Sequence, residues 1–139
     1  MPTKTFTAGA TFTSTAGQLL QTALSLTTTK TETFNKDSVQ ATYVVTAAGE
    51  QVLYSTAETT TPLVYLFVQA DATNPTGSAN ELALQYSSSA AVTTICKLKP
   101  GDWAYLPYSG SNNTLIKVAN PGATSSTVTV IFAESGSGV

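Results

Sequence analysis

The side chains best suited to acid–base work in this chain are eight carboxylates, Glu32, Asp37, Glu50, Glu58, Asp71, Glu81, Asp102 and Glu134. Two of them held at glycosidase spacing would cleave a glycosidic bond. A closely spaced set around a central glycine would hold calcium. The eight are scattered, and none pairs locally in a calcium-loop pattern. The chain has no histidine, the commonest general base and metal ligand. All six basic residues are lysines, so the bidentate arginine clamp for phosphate or carboxylate is missing. Serine and threonine are plentiful, but no Gly-x-Ser-x-Gly elbow presents one as a nucleophile, and no glycine-rich loop cradles a phosphate. A single cysteine, Cys96, excludes an internal disulfide and a cysteine-based zinc site. These residue types predict no catalytic residue, no bound metal and no cofactor.

Two features remain for binding. Pro100-Gly101-Asp102-Trp103 has Pro and Gly in the central positions of a type II turn. It presents Trp103 either to a partner or to the sandwich rim, with Asp102 holding the turn by a side-chain bond. The turn chemistry accounts for every residue, so the rim is the expected place. Six tyrosines, Tyr43, Tyr54, Tyr65, Tyr86, Tyr105 and Tyr108, fall on alternating segments. They would form a sugar-stacking platform if gathered, and amphipathic strand residues if not. Cys96 alternates with Thr94 and Leu98, as an inert core thiol on a half-buried strand would.

The elements that must position these residues are strands. Charged residues make up only 10% of the 139 residues, where about 25% is usual. Threonine and serine replace them, and threonine suits a strand whose outer face meets water. Ala41, Tyr43 and Val45 alternate with Gln40, Thr42 and Val44. Val52 and Tyr54 are expected on one face and Leu53 on the other. Leu63 to Val68 is a continuous apolar run, the pattern of a central strand covered on both faces, with Phe67 in the core. Leu82, Leu84 and Tyr86 alternate, as do Val128, Val130 and Phe132. Further strands are expected over Leu24 to Thr33, Val92 to Lys99, Trp103 to Tyr108 and Leu115 to Val118. Ala16 to Leu24 has at most a turn or two of helix. Short strands at intervals of about 8–15 residues mark a sandwich or barrel. The expected fold is an all-β antiparallel β-sandwich of jelly-roll type. An immunoglobulin-like sandwich is the alternative, without that family's Cys-Trp-Cys framework.

Residues 1–15 show no core pattern beyond Phe6 and Phe12, and are expected as an extended arm. Residues 16–139 are expected as one sandwich domain with a short flexible Gly/Ser tail. The opening Met1-Pro2-Thr3-Lys4 has no apolar h-region, so synthesis in a cytoplasm without Sec export is expected. No stretch approaches about 20 apolar residues, so no membrane partner is expected. A net charge of −2 with no basic run argues against nucleic acid.

In its Thr/Ser/Ala-rich body, dense short strands, lack of disulfides and Gly/Ser tail, the chain resembles the decoration or cement proteins of tailed-bacteriophage heads. Thr11-Phe-Thr-Ser-Thr and Val128-Thr-Val-Ile-Phe-Ala-Glu-Ser are the stretches that carry the likeness. The resemblance implies a structural virion protein seated on the joints between copies of a major capsid protein. It also implies a trimer or dimer, and the low charge of the chain makes a homo-oligomer, a trimer first, the expectation. Read from the arm and the turn themselves, Phe6, Phe12 and Trp103 are the expected interface residues. The alternative is a receptor- or carbohydrate-binding module of a phage fibre or spike.

Overall fold

The computed structural model describes residues 4–13, 25–34, 38–56, 63–88, 91–109 and 114–135. Ten strands are described: β1 (Lys4–Thr13), β2 (Ser25–Phe34), β3 (Ser38–Val45), β4 (Glu50–Thr56), β5 (Leu63–Ala70), β6 (Leu82–Ser87), β7 (Val92–Leu98), β8 (Trp103–Ser109), β9 (Thr114–Ala119) and β10 (Ser126–Ser135). A single 3-10 turn, Ser78–Asn80, interrupts the loop before β6. The candidate turn of helix at Ala16 to Leu24 and the tail from Gly136 lie outside the described residues.

The wiring is that of one long hairpin rolled up. Strands β6 and β7 form its tip, closed by Ser88 N donating to Ala91 O at 2.9 Å. Further out, β5 pairs with β8, β4 with β9 and β3 with β10, all antiparallel. Rolling then adds β10 beside β5 and β9 beside β6. The results are two four-stranded sheets, β3-β10-β5-β8 and β4-β9-β6-β7. This is a jelly roll. Within it every described connection except the β6–β7 turn crosses from one sheet to the other, which sets aside the immunoglobulin-like alternative.

Alternation decides what lies between the sheets. Leu66, Val68, Val128 and Val130 point in from the first sheet, and Leu82, Leu84, Ile116 and Val118 from the second. All eight are essentially sealed from water. Tyr43, Tyr86, Leu106 and Phe132 pack around them. Two bulges break the alternation. On β4 the register skips from Val52 to Tyr54, so Leu53 and Tyr54 are both buried and Val52 is exposed. This corrects the expectation that Val52 and Tyr54 share a face, because a bulge puts two residues opposite one. On β7 the ladder passes from Cys96 to Thr94 and leaves Ile95 unpaired and exposed.

Asparagine side chains tie the loops at the sandwich ends. Asn120 is buried, and its Nδ2 reaches Val45 O at 3.0 Å, Thr46 O at 3.2 Å and Thr124 O at 2.9 Å. Its Oδ1 accepts from Gly122 N at 2.9 Å. Gly122 sits so close that a Cβ there would lie 2.5 Å from Asn80 Oδ1. Asn74 makes a two-way pair with the backbone of Thr127, at 2.9 and 2.7 Å. These bonds satisfy loop groups that would otherwise be left unpaired in the interior.

Strands β1 and β2 stand apart from the sandwich sheets as a two-stranded ribbon, in register from Lys4↔Phe34 to Thr13↔Ser25. The arm reading left out this partner: Lys4–Thr13 is half of an intrachain ladder rather than a lone extended segment. The expected boundary at residue 15 falls outside the described residues.

Candidate functional site: a groove between ribbon and sheet

The outward face of β3-β10-β5-β8 carries rows fixed by the register. One row reads Gln40, Ile131, Phe67, Tyr105, and the next reads Thr42, Thr129, Gln69, Trp103. Three of the first four and one of the second are large and apolar or aromatic, on a face that a free sandwich turns to water. The ribbon lies over it. Ala8 and Ala10 of β1 are half-buried, whereas Thr5, Thr7, Gly9, Thr11 and Thr13 on the opposite side are exposed. That outer side is almost all threonine, since the register sets Thr7 against Thr31 and Thr11 against Thr27. Their hydroxyls meet at 3.0 and 3.3 Å.

Ribbon and sheet do not close on each other. Between them runs a groove of about 540 Å³, floored by Phe67, Trp103, Tyr105 and Ile131 and roofed by the Ala8–Ala10 stretch. Lys30 is the one charged residue on its wall among the described side chains. The rings of Phe67 and Trp103 stand 6.0 Å apart at a tilt of 32°. Trp103 remains 46% exposed. The turn before it is the expected one: Gly101 has φ 84°, which favours glycine, and Asp102 Oδ2 accepts from Lys99 N at 3.0 Å. Trp103 thus opens a strand on the outer face rather than packing against the rim.

The other residues singled out by sequence fall in different places. Phe12 is 53% exposed and faces Leu26, itself 58% exposed, across the ribbon. Phe6 stands opposite Glu32 in the same ladder, and its side chain is outside the description. The four tyrosines whose side chains are described do not gather: Tyr54 is buried edge-on to Phe132 at 5.7 Å, Tyr43 and Tyr86 line the core, and Tyr105 reaches the groove. Phe67, expected in the core, faces the groove instead, because its neighbours Leu66 and Val68 take the inward positions. Sequence reasoning missed Phe67, Tyr105 and Ile131 as surface residues. The signal that would have found them is the pairing of β5 with β8 and β10.

The opposite outer face is different in kind. Lys117 Nζ meets Glu50 Oε2 at 2.7 Å, with Gln85 and Lys97 nearby on the same sheet. Cys96 is half-buried beside the core rather than sealed within it. Burial, and secondarily the Asp102 carboxylate, push its thiol pKa up. Asp71 is held below the usual carboxylate range by the hydroxyl and backbone N–H of Thr73. It caps its own loop in doing so. No group of three or more His, Cys, Asp or Glu converges among the described residues. No helix of the described residues is long and apolar enough to cross a membrane.

Together the two packed antiparallel sheets define an all-β jelly-roll sandwich. No family model and no curated protein matches the sequence. Several solved structures are similar to it. A protein of Bacillus endospore appendages, described as a novel family of disulfide-linked pili, is 15% identical over 72% of this chain and 87% of that one, with a TM-score of 0.47. The Yersinia pseudotuberculosis-derived mitogen is 11% identical over 74% of this chain and 89% of its own, with a TM-score of 0.41. A de novo designed double-stranded β-helix is 15% identical over 69% and 97%, with a TM-score of 0.34. At these identities the likeness is one of fold alone.

Proposed function

We propose that this chain is a structural component of a virion surface, decorating or cementing a tailed-phage capsid through protein–protein contacts as a homo-oligomer, most simply a trimer. The observation that carries the reading is the apolar outer face. Ile131, Phe67, Tyr105 and Trp103 are set on a rigid sheet under a ribbon that leaves them partly open. Contiguous apolar surface of this kind marks a contact site on a soluble domain. A chain with 10% charged residues also has little electrostatic defence against association. Contacts made through rings, aliphatic groups and threonine hydroxyls suit a permanent assembly. The test adds purified protein to tailed-phage capsids stripped of accessory proteins and counts bound copies by sedimentation and electron microscopy. Saturable binding at a fixed number of copies per shell is expected. No binding, together with absence of the chain from native particles, overturns the proposal.

One observation favours a second reading, a receptor- or carbohydrate-binding module of a fibre or spike. Trp103 and Phe67 present a tilted pair of rings with Gln69 beside them, an arrangement on which a sugar face stacks. Trp103 is the only tryptophan in the chain, so its emission reports directly on the groove. A saturable change in that emission on adding bacterial surface glycans, with no binding to capsids, selects this reading over the first.

A further inference from the structure

A two-stranded ribbon is marginal in water unless one face is covered. Among the described side chains, the ribbon's inward side meets the sandwich around Ala8, Ala10, Thr28 and Lys30. Beyond them the Phe12–Leu26 pair lies outside the groove, with both residues more than half exposed. The groove in turn leaves Trp103 open. Among the described residues, the chain therefore carries two apolar surfaces, and Phe12 and Leu26 do not line the groove. The ribbon end carries no charge across Thr11, Phe12 and Thr13 or across Ser25, Leu26 and Thr27. Among the described side chains the groove carries one charge, Lys30. Bringing the two together removes apolar area from water and strands almost no charge. The groove volume lies in the range of about 300–1,000 Å³ that accepts sizeable apolar groups. The ribbon's backbone bonds are internal to its own ladder, so docking it elsewhere breaks none of them.

We propose that a second copy of this chain docks here, its Phe12–Leu26 ribbon end seated in the Phe67–Trp103 groove of the first. Both halves of the contact belong to this one chain, which is why a second copy fits better than a foreign protein. The contact is reciprocal in a two-fold dimer and head-to-tail in a closed ring such as a trimer. The inference takes up the self-association in the proposed function, and its test needs no capsid, so the two fail separately.

The test measures oligomeric state by analytical ultracentrifugation for the full chain, for Phe12→Ser with Leu26→Ser, and for Trp103→Ser. All three altered residues are exposed, so folding is expected to survive, and circular dichroism checks it. The unaltered chain is expected to form a closed oligomer, and each variant to associate at least about 10-fold more weakly. In parallel, a Cys96→Ser background carries Leu26→Cys in one copy and Trp103→Cys in a second copy of different mass. Oxidation is expected to yield mainly the mixed pair. A monomeric unaltered chain, an oligomer indifferent to both sets of substitutions, or disulfides only between like copies overturns the proposal.

Discussion

The two outer faces of this sandwich lie over one core and yet are built to opposite rules. On β4-β9-β6-β7 the outward positions hold Lys117, Glu50, Gln85 and Lys97, with an ion pair at 2.7 Å. On β3-β10-β5-β8 the matching positions hold Ile131, Phe67, Tyr105 and Trp103. An antiparallel sheet with one solvated face reads as clean alternation, inward apolar and outward polar. The first face follows that rule at Lys117, Glu50, Gln85 and Lys97, although Val52, Val92 and Ile95 stand exposed on its strands. The second breaks it with a contiguous row of large apolar groups where the ribbon approaches, and Val44 is exposed outside that row. The difference teaches that the ribbon is the reason for the apolar face, and that the site is a layer added to a complete sandwich rather than part of its core.

The largest effect should be blind to this difference. Leu66→Ala beneath the aromatic face and Leu84→Ala beneath the polar one each remove a fully buried side chain. Each should cost about 2–5 kcal/mol in urea unfolding. A large loss for one and a small loss for the other would mean that the sheets do not share a core.

A smaller effect should separate the faces. Phe67→Ser is expected to cost about 1–2 kcal/mol, since its ring is half-buried under the ribbon. Lys117→Met should cost no more than about 1 kcal/mol, because its partner Glu50 is 56% exposed and well solvated. Equal costs in the same urea titration would break the comparison.

How much of this was legible in the sequence depends on whether alternation was present to be read. Ala41, Tyr43 and Val45 alternate strictly with polar or outward partners, and β3 follows them: Val45 is sealed and Val44 is open. Leu63 to Val68 is apolar at every position, so the run marks a strand but cannot say which residues face the other sheet. That is why Phe67 was expected in the core. The Val52–Tyr54 and Ile95 irregularities were equally hidden, since a bulge is a property of the ladder and not of one strand. The ribbon was half legible. Leu24 to Thr33 reads as a strand, but a row of threonines offers no pattern that names its partner. Of the expected interface residues, Trp103 lies in the groove and Phe12 at the exposed ribbon end, while Tyr105 and Ile131 needed the register to be seen.

The smallest expected effect concerns Cys96, which lies within β7, the edge strand of the polar sheet, two residues before that strand ends. Burial first and Asp102 second raise its thiol pKa. A raised pKa means less thiolate at a given pH. The alkylation rate with iodoacetamide should therefore climb at higher pH than for a free cysteine peptide. Asp102→Asn should return only part of the shift, because burial is the larger cause. The sign for stability follows from the neutral thiol being favoured in the fold. The contribution is complete below the unfolded pKa and disappears as pH rises through the folded one. A profile matching the free peptide would show that Cys96 is more open than its place beside the core implies.

The rolled hairpin has a mechanical side as well. Ser38 at the start of the sandwich and Ala133 near its end face each other at the same end of the β3–β10 ladder. Tension between the two ends of the domain is therefore met by one rung at a time, which is how a zipper opens, and never by the whole ladder in parallel. Pressure normal to a sheet is instead shared by every packed residue between the layers. The β3–β10 ladder is thus expected to yield to a pull on Ser38 and Ala133 before the packed layers yield to pressure on their faces.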